Sequence, residues 1–388
     1  MTTKGPGPGL AEKADEVPPE FATGSSTKQA RTTWVSIIGA VVTIVVGIYF
    51  VFYLGPSTET IALVSVVAVA LGFNYTNGFH DAANAIATSV STRALTPRAA
   101  LLMAAVMNLL GSFVGVGVAK TIADILPDLK GVSGLAVVFA ALAGAIIWNL
   151  ITWWFGLPSS SSHALIGGLV GAGLAAATTV GWDKVIEKVV IPMIISPFAG
   201  FLLGYLFMVG IMWAFRRAKP AKVSRGFRIA QSLSAAAMAF GHGLQDAQKT
   251  MGVIVLALVA TGYQTDTEYV PLWVILVSAA VLSIGTYAGG WRIMRTLGRK
   301  VIELDPPKGF AAEATASSIL YIAAMGFHAP ISTTHVISSA IMGVGATKRL
   351  SAVRWGVAGN ILVAWILTLP AAGLMSAVVF WVLKIFGA

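Results

Sequence analysis

The sequence predicts an all-α polytopic membrane protein: two inverted repeats of about five transmembrane or hairpin segments each, plus one extra N-terminal span. Three observations carry this. Of 388 residues, 56% are hydrophobic and 11% are charged, whereas a soluble globular chain has about 25% charged residues with which to solvate its surface. Apolar runs of about 17 residues or more, long enough to span a bilayer, recur along the chain. Three short polar motifs each occur twice, in the same order.

Residues 1–33 hold four acidic and four basic side chains among Pro, Gly and Ser and read as a disordered cytoplasmic tail. The apolar run at about 34 to 54 lacks the short core and small-residue cleavage site of a signal peptide. It reads as a retained span, the extra one, and with its loop it occupies 34–59. Ten further runs follow at about 60 to 91, 98 to 119, 133 to 156, 159 to 178, 190 to 215, 231 to 260, 271 to 292, 311 to 328, 330 to 347 and 355 to 387. If all cross, the basic clusters at the N-terminal tail, Arg93 and Arg98, Arg216 to Arg228, Arg292 to Lys308 and Lys348 to Arg354 fall on one side. The positive-inside rule makes that side the cytoplasm, the N-terminus included. The loops around Asp124, Asp183 and Asp266 then lie outside. The short pairs beginning at Pro158 and Pro330 can instead form re-entrant hairpins without reversing either half.

The net charge of +10 does not indicate nucleic acid, because the Lys and Arg sit in short clusters between apolar runs, where membrane topology places them. With no cysteine, a disulfide-built domain and a Cys-ligated zinc or iron–sulfur centre are excluded. The composition also argues against a cytosolic enzyme.

The halves on either side of the basic loop, 60–215 and 231–388 with 216–230 between them, match at three places. Asn77-Gly78-Phe79-His80-Asp81-Ala82-Ala83-Asn84 corresponds to His242-Gly243-Leu244-Gln245-Asp246-Ala247-Gln248-Lys249. Pro158-Ser159-Ser160-Ser161-Ser162-His163 corresponds to Pro330-Ile331-Ser332-Thr333-Thr334-His335. Pro197-Phe198-Ala199-Gly200 corresponds to Pro370-Ala371-Ala372-Gly373. An odd number of segments per copy inverts the second copy. Inverted repeats with interrupted helices are a transporter design in which substrate sits near the midplane, between the copies.

Ionised side chains at bilayer depth cost from about 2.5 kcal/mol upward, so Asp81, Asp246, Lys249 and Glu313 require partners or a wet cavity. Helical spacing puts Asp81 with Asn84, and His80 with Asn84, one turn apart, and the second copy repeats this with Asp246, Gln245 and Lys249. Carboxylate, amide and hydroxyl oxygens suit a small hard cation, and the same carboxylates can carry a proton. Alternatively, these groups lock helices together by buried hydrogen bonds. In the Pro-led motifs, a proline at a helix start leaves first-turn N–H groups free, a ready anion site to which Ser159 to Ser162 and Ser332, Thr333 and Thr334 add hydroxyls. A tetrahedral oxyanion fits such donors better than a sugar or an amino acid; plain helix capping is the alternative. All five histidines, His80, His163, His242, His328 and His335, lie in or beside a repeated motif, where they can hydrogen-bond, bind anion or carry protons. A Ser/His hydrolase is the competing reading, but HExxH, P-loop and GxSxG patterns are absent, and duplication with inversion serves two-sided access rather than hydrolysis.

The run from Asn77 to Val90 with Arg93 to Thr96, the run Gly243 to Gly252, and Pro330 to His335 resemble the signatures of the inorganic phosphate transporter family, bacterial low-affinity type, over about residues 60 to 387. The resemblance implies a symporter that carries inorganic phosphate with a cation, and not an enzyme. It needs no cofactor or resident metal; the coupling ion is H+ or Na+, and a divalent metal can travel with the phosphate. It further implies a phosphate site of Ser160, Ser161, Ser162, Ser332, Thr333, Thr334, Asp81, Asp246 and Gln245. Coupling falls to His80, Asp81, Asn84, Asp246 and Asn77, supported by His163, His335, Lys249 and Glu313. Many family members carry Asn-Asp where this chain has His80-Asp81 and Gln245-Asp246, so coupling ion and anion choice stay open, with sulfate as the alternative anion. The expected setting is a bacterial plasma membrane, with phosphate and lipid as partners, no nucleic acid, and a homodimer allowed.

Overall fold

A computed structural model describes residues 57–387; the tail at 1–33 and the expected extra span at 34–54 lie outside the described residues. These residues form helices and no strand. In chain order they are α1 (Thr58–Ser91), α2 (Pro97–Gly111), α3 (Gly117–Ala123), α4 (Gly131–Phe155), α5 (Ser161–Ala175) and α6 (Trp182–Ala214). They continue as α7 (Pro220–Ala260), α8 (Leu272–Ala288), α9 (Trp291–Lys300), α10 (Pro306–Tyr321, extended by a π-turn over Ile322–Gly326), α11 (Thr333–Ala346) and α12 (Trp355–Ile385).

Local chemistry sets the helix ends. Ser57 caps α1 by accepting from Thr60 N–H at 3.1 Å, and Asp305 caps α10 by accepting from Lys308 N–H at 3.0 Å. Prolines open α2, α7 and α10, where the missing N–H is not needed. Gly156 ends α4 in the left-handed region at φ 64°.

Helices α1, α4, α6 and α12 are long and apolar enough to cross a membrane, and α8 with α9, bent by 57°, make a fifth such unit if counted as one span. Helices α5 and α11 are 15 and 14 residues long, which at 1.5 Å per residue is about 22 Å, short of the roughly 30 Å hydrocarbon core. The apolar runs at about 159 to 178 and 330 to 347 are thus half-length helices, which a sequence cannot tell from spans because a short helix buried in protein is as apolar as a crossing one. The outer faces of the bundle carry Leu102, Phe198, Leu206, Ile366 and Trp381 exposed, as a lipid-facing surface requires.

The interior divides into two apolar clusters. One takes the first half of α1 (Leu63 to Phe73) and the last part of α7 (Ala247 to Ala260) with α4, α5 and α8. The other takes the second half of α1 (Ala83 to Ala87) and the first part of α7 (Phe227 to Ala239) with α2, α9, α10 and α11. Between them, on both long helices, lies the polar stretch that contains Asp81 and Asp246. The short helices are held by close backbone approach. A Cβ on Gly171 of α5 would lie 2.2 Å from Gly373 O of α12, and one on Gly343 of α11 would lie 2.1 Å from Phe201 O of α6.

Candidate functional site

Helices α5 and α11 start alike. Ser160 Oγ accepts from His163 N–H and Ser332 Oγ from His335 N–H, each at 3.2 Å. Pro158 and Pro330 therefore stand two residues before the caps rather than at the first helical position, and the Ser160 and Ser332 hydroxyls are engaged as caps. The next hydroxyls face the long helices. Ser161 donates to Asp81 Oδ2 at 2.6 Å, and Asn84 Nδ2 donates to Thr333 Oγ1 at 3.1 Å and Thr334 Oγ1 at 2.9 Å. Lys249 Nζ donates to both Ser162 and Asp246. The positions matched in the sequence make matching contacts: Asn84 reaches Thr334, and Lys249 reaches Ser162.

Asn77 ties the two carboxylates together. With its amide nitrogen toward them, it donates to Asp81 Oδ2 at 3.0 Å, Asp246 Oδ2 at 3.2 Å and Ser161 Oγ at 2.7 Å. His80 Nδ1 lies 2.7 Å from Asp81 Oδ1, and its Nε2 faces Thr152 Oγ1 at 3.1 Å and Ser159 Oγ at 3.4 Å. His80 thus turns toward α4 while Asn84 turns toward α11, so the shared face expected for these two divides between neighbours. Gln245 behaves as His80 does, with Nε2 donating to Ala329 O at 3.2 Å while Lys249 goes to Ser162.

His242, Asn108, Thr286 and Thr152 were not among the expected site residues. His242 Nε2 lies 3.0 Å from Asp246 Oδ2, an ion-pair contact one turn along α7 rather than an aligned hydrogen bond. Its Nδ1 meets Asn108 Oδ1 at 3.1 Å, and Asn108 Nδ2 donates to Thr286 Oγ1 at 2.7 Å. The His-x-x-x-Asp spacing of 242 and 246 signals the first contact; nothing in a single sequence signals Asn108 or Thr152. Asp81, His242 and Asp246 each offer a ligand atom, all within 4.8 Å of one another, a geometry able to hold a metal ion.

Glu313 and the histidine pair lie elsewhere. Glu313 accepts from Thr88 and from Ser234 at 2.5 Å, beside Thr92, which donates to Gln231 Oε1 at 2.7 Å. On α10, it meets α1 at Thr88, two turns beyond Asp81, and lies outside the carboxylate cluster. The rings of His163 and His335 are buried against each other, and none of their four nitrogens has a hydrogen-bond partner. Buried acceptor atoms also stand unpartnered at Asn84 Oδ1 and Gln245 Oε1, free to take a cation or a donor.

The whole arrangement pairs two carboxylates with an ammonium, amides and hydroxyls in a buried setting, chemistry suited to an oxyanion with its counter-cation. Comparison with known proteins agrees. The Phosphate transporter family matches residues 77–224 and 214–376. The chain is 49% identical over 322 residues to a probable low-affinity inorganic phosphate transporter of Rhizobium meliloti, covering 82% of this chain and 96% of that one. It is 43% identical over 326 residues to the protein of that description in Bacillus subtilis, covering 84% and 98%. A solved structure described as the sodium-dependent phosphate transporter superposes with a TM-score of 0.74 at 26% identity, covering 84% of this chain and 99% of that one. These relatives are transporters and not enzymes, which leaves the Ser/His hydrolase reading without support. With 49% identity across nearly the full length of a relative and a family match spanning both halves, this multi-pass membrane chain belongs to the phosphate transporter family.

Proposed function

We propose that the chain imports inorganic phosphate, alone or as a neutral metal–phosphate complex, by symport with protons or sodium ions through alternating access. The observation that carries this reading is the exchange of contacts between matched motifs: Asn84 with Thr334, and Lys249 with Ser162. Each hydroxyl-bearing helix start is thus held by the long helix of the other half. This supports two inverted halves, 60–215 and 231–388, that share one site.

Electrostatics supports symport. A phosphate dianion about 4 Å from a carboxylate is repelled by several kcal/mol at an effective dielectric of about 20. Lys249 offsets Asp246, which leaves Asp81 as the main repulsion, and a cation or proton on the Asp81, Asp246 and His242 cluster relieves it. Ser161, Ser162, Thr333, Thr334 and Lys249 supply donors to the anion; Asp81 and Asp246, with Asn77, Asn84, His80 and Gln245 around them, supply acceptors to the coupling ion. The basic stretch at 216–230, expected as a loop but helical from Pro220 onward as the start of α7, faces the cytoplasm of a bacterial cell, and the N-terminus lies on the same side.

The test is uptake of radiolabelled phosphate into proteoliposomes under separate inward proton and sodium gradients, each with and without magnesium and excess sulfate. Uptake driven by either gradient supports the reading. A magnesium requirement marks the complex as substrate, full competition by sulfate reassigns the anion, and no uptake under any gradient overturns it.

A further inference from the structure

We infer that a second oxyanion site, outside the buried one, captures phosphate at the extracellular mouth through Lys184 and Lys188; this rests on the transport reading above. A cavity of about 660 Å³ opens beside α3, the start of α6 and the loop after α10, and Lys120, Lys184 and Lys188 line it together with the acids Asp124 and Glu268. By the distribution of basic loops this end faces outward.

The charges in the cavity are not equivalent. Lys120 is ion-paired with Glu268, and Asp124 accepts from Thr267 Oγ1 at 2.9 Å. Lys188 Nζ donates to the backbone carbonyl of Phe327 at 3.2 Å, a neutral partner that leaves its charge uncompensated. Lys184 lies 3.8 Å from Asp183, the limit of an ion pair, with both side chains well exposed. Three ammoniums against two carboxylates leave the lining with one positive charge in excess, and a concave wall of low dielectric concentrates that field on an anion arriving beside Lys184 and Lys188.

The cavity floor leads to the buried site. It includes Leu244 and Gln248 of α7, whose neighbours Gln245, Asp246 and Lys249 belong to the site itself. His328 is on the rim, and the next carbonyl, Ala329 O, accepts from Gln245.

The other end of the molecule repeats part of this scaffold. Thr121 Oγ1 donates to His328 O at 2.9 Å at the cavity end; Thr296 Oγ1 donates to Gly156 O at 2.8 Å at the opposite end. There the Arg292 guanidinium lies 5.2 Å and 4.5 Å over the rings of Trp153 and Trp154 and donates to Trp154 O at 2.6 Å. Arg292 at that end is covered by two indole rings, while Lys188 lines an open cavity.

The experiment is initial-rate phosphate influx through wild type, Lys184→Gln, Lys188→Gln, the double variant and Lys188→Arg, in vesicles of phosphatidylcholine alone and again with an anionic phospholipid. Capture predicts an apparent KM raised about three- to tenfold in the double variant with the maximal rate kept. The difference shrinks as salt rises toward about 1 M, where screening acts within about 3 Å, and Lys188→Arg restores wild-type behaviour. An unchanged KM with an unchanged salt dependence in the double variant overturns the site. So does an effect confined to vesicles with anionic lipid, which would assign the lysines to headgroups. If wild type itself takes up no phosphate, the transport reading fails; if wild type transports and the variants match it, only the capture site fails.

Discussion

The imidazole rings of His163 and His335 meet edge to face with their centroids 4.7 Å apart. They occupy matching positions after the two hydroxyl clusters, on helices 172 residues apart in the chain. His335 also stacks on Trp365 at 4.0 Å and 26°, and the Trp365 indole N–H donates to Pro158 O at 3.0 Å. The turn before α5, α12 and the start of α11 are thereby closed into one packed unit. The two anion-donor ends cannot separate without breaking it.

This contact assigns the histidines to packing, which gives the first prediction. Trp365→Ala removes the stack and the bond to Pro158 and is expected to lower stability by about 3–5 kcal/mol, read as a drop in melting temperature in detergent. His335→Phe keeps an aromatic ring and is expected to retain the fold and most of the uptake. Loss of uptake in His335→Phe with unchanged melting would instead make the ring nitrogens anion ligands.

The second prediction concerns anion choice. Near neutral pH phosphate can donate a hydrogen bond through its own hydroxyl, whereas sulfate only accepts, so an ionised carboxylate favours phosphate. Asp81→Asn and Asp246→Asn are each expected to lower uptake about 10- to 100-fold, the worth of a hydrogen bond to a charged group, and to weaken discrimination against sulfate. Competition assays on the residual uptake provide the readout. Discrimination equal to wild type in both variants would remove the carboxylates from anion selection.

Helix-period reasoning on the sequence reached Asp81, Asn84, Asp246 and Lys249, because an ionisable residue in an apolar run is visible without any partner. It did not reach Thr152 or Asn108, whose roles depend on which helix lies opposite, and periodicity says which face a residue occupies but not what meets that face; His242 was legible only as a histidine beside a motif, although its spacing from Asp246 signals their contact. The same limit explains Glu313: the sequence marks it as buried charge, and only the packing of α10 against α1 and α7 puts it with Thr88 and Ser234. The prolines were legible as helix signals, yet Ser160 and Ser332 outcompete them for the cap, since a side-chain acceptor satisfies a first-turn N–H that proline leaves bare.

A third prediction tests whether Lys249 and Asp246 act as a unit. Removing one member of a buried pair leaves an uncompensated charge and costs about 3–5 kcal/mol. Asp246→Ala is therefore expected to melt well below wild type. Combining Asp246→Asn with Lys249→Met removes both charges, and the loss should fall short of the sum of the single losses by at least about 1 kcal/mol. Strict additivity would show that the ammonium is compensated from elsewhere, Ser162 and its surroundings being the first place to look.

The fourth prediction uses the absence of cysteine from the sequence, which makes any introduced thiol the sole maleimide target on this chain, read on the purified protein after labelling with a membrane-impermeant reagent. Thr121 lines the open cavity, and Thr296 holds the matching position beneath Arg292, Trp153 and Trp154. Thr121→Cys in intact cells is expected to label from outside and to be protected by phosphate. Thr296→Cys in inverted vesicles is expected to label slowly. Adding Arg292→Gln removes the cation held over both indoles, worth about 0.5–2 kcal/mol, and labelling at 296 should rise several-fold as that end loosens. Equal rates at 296 with and without Arg292 would mean that the guanidinium is not what keeps the cytoplasmic end shut. Labelling of Thr121→Cys only from the cytoplasmic side would invert the topology that the basic loops imply.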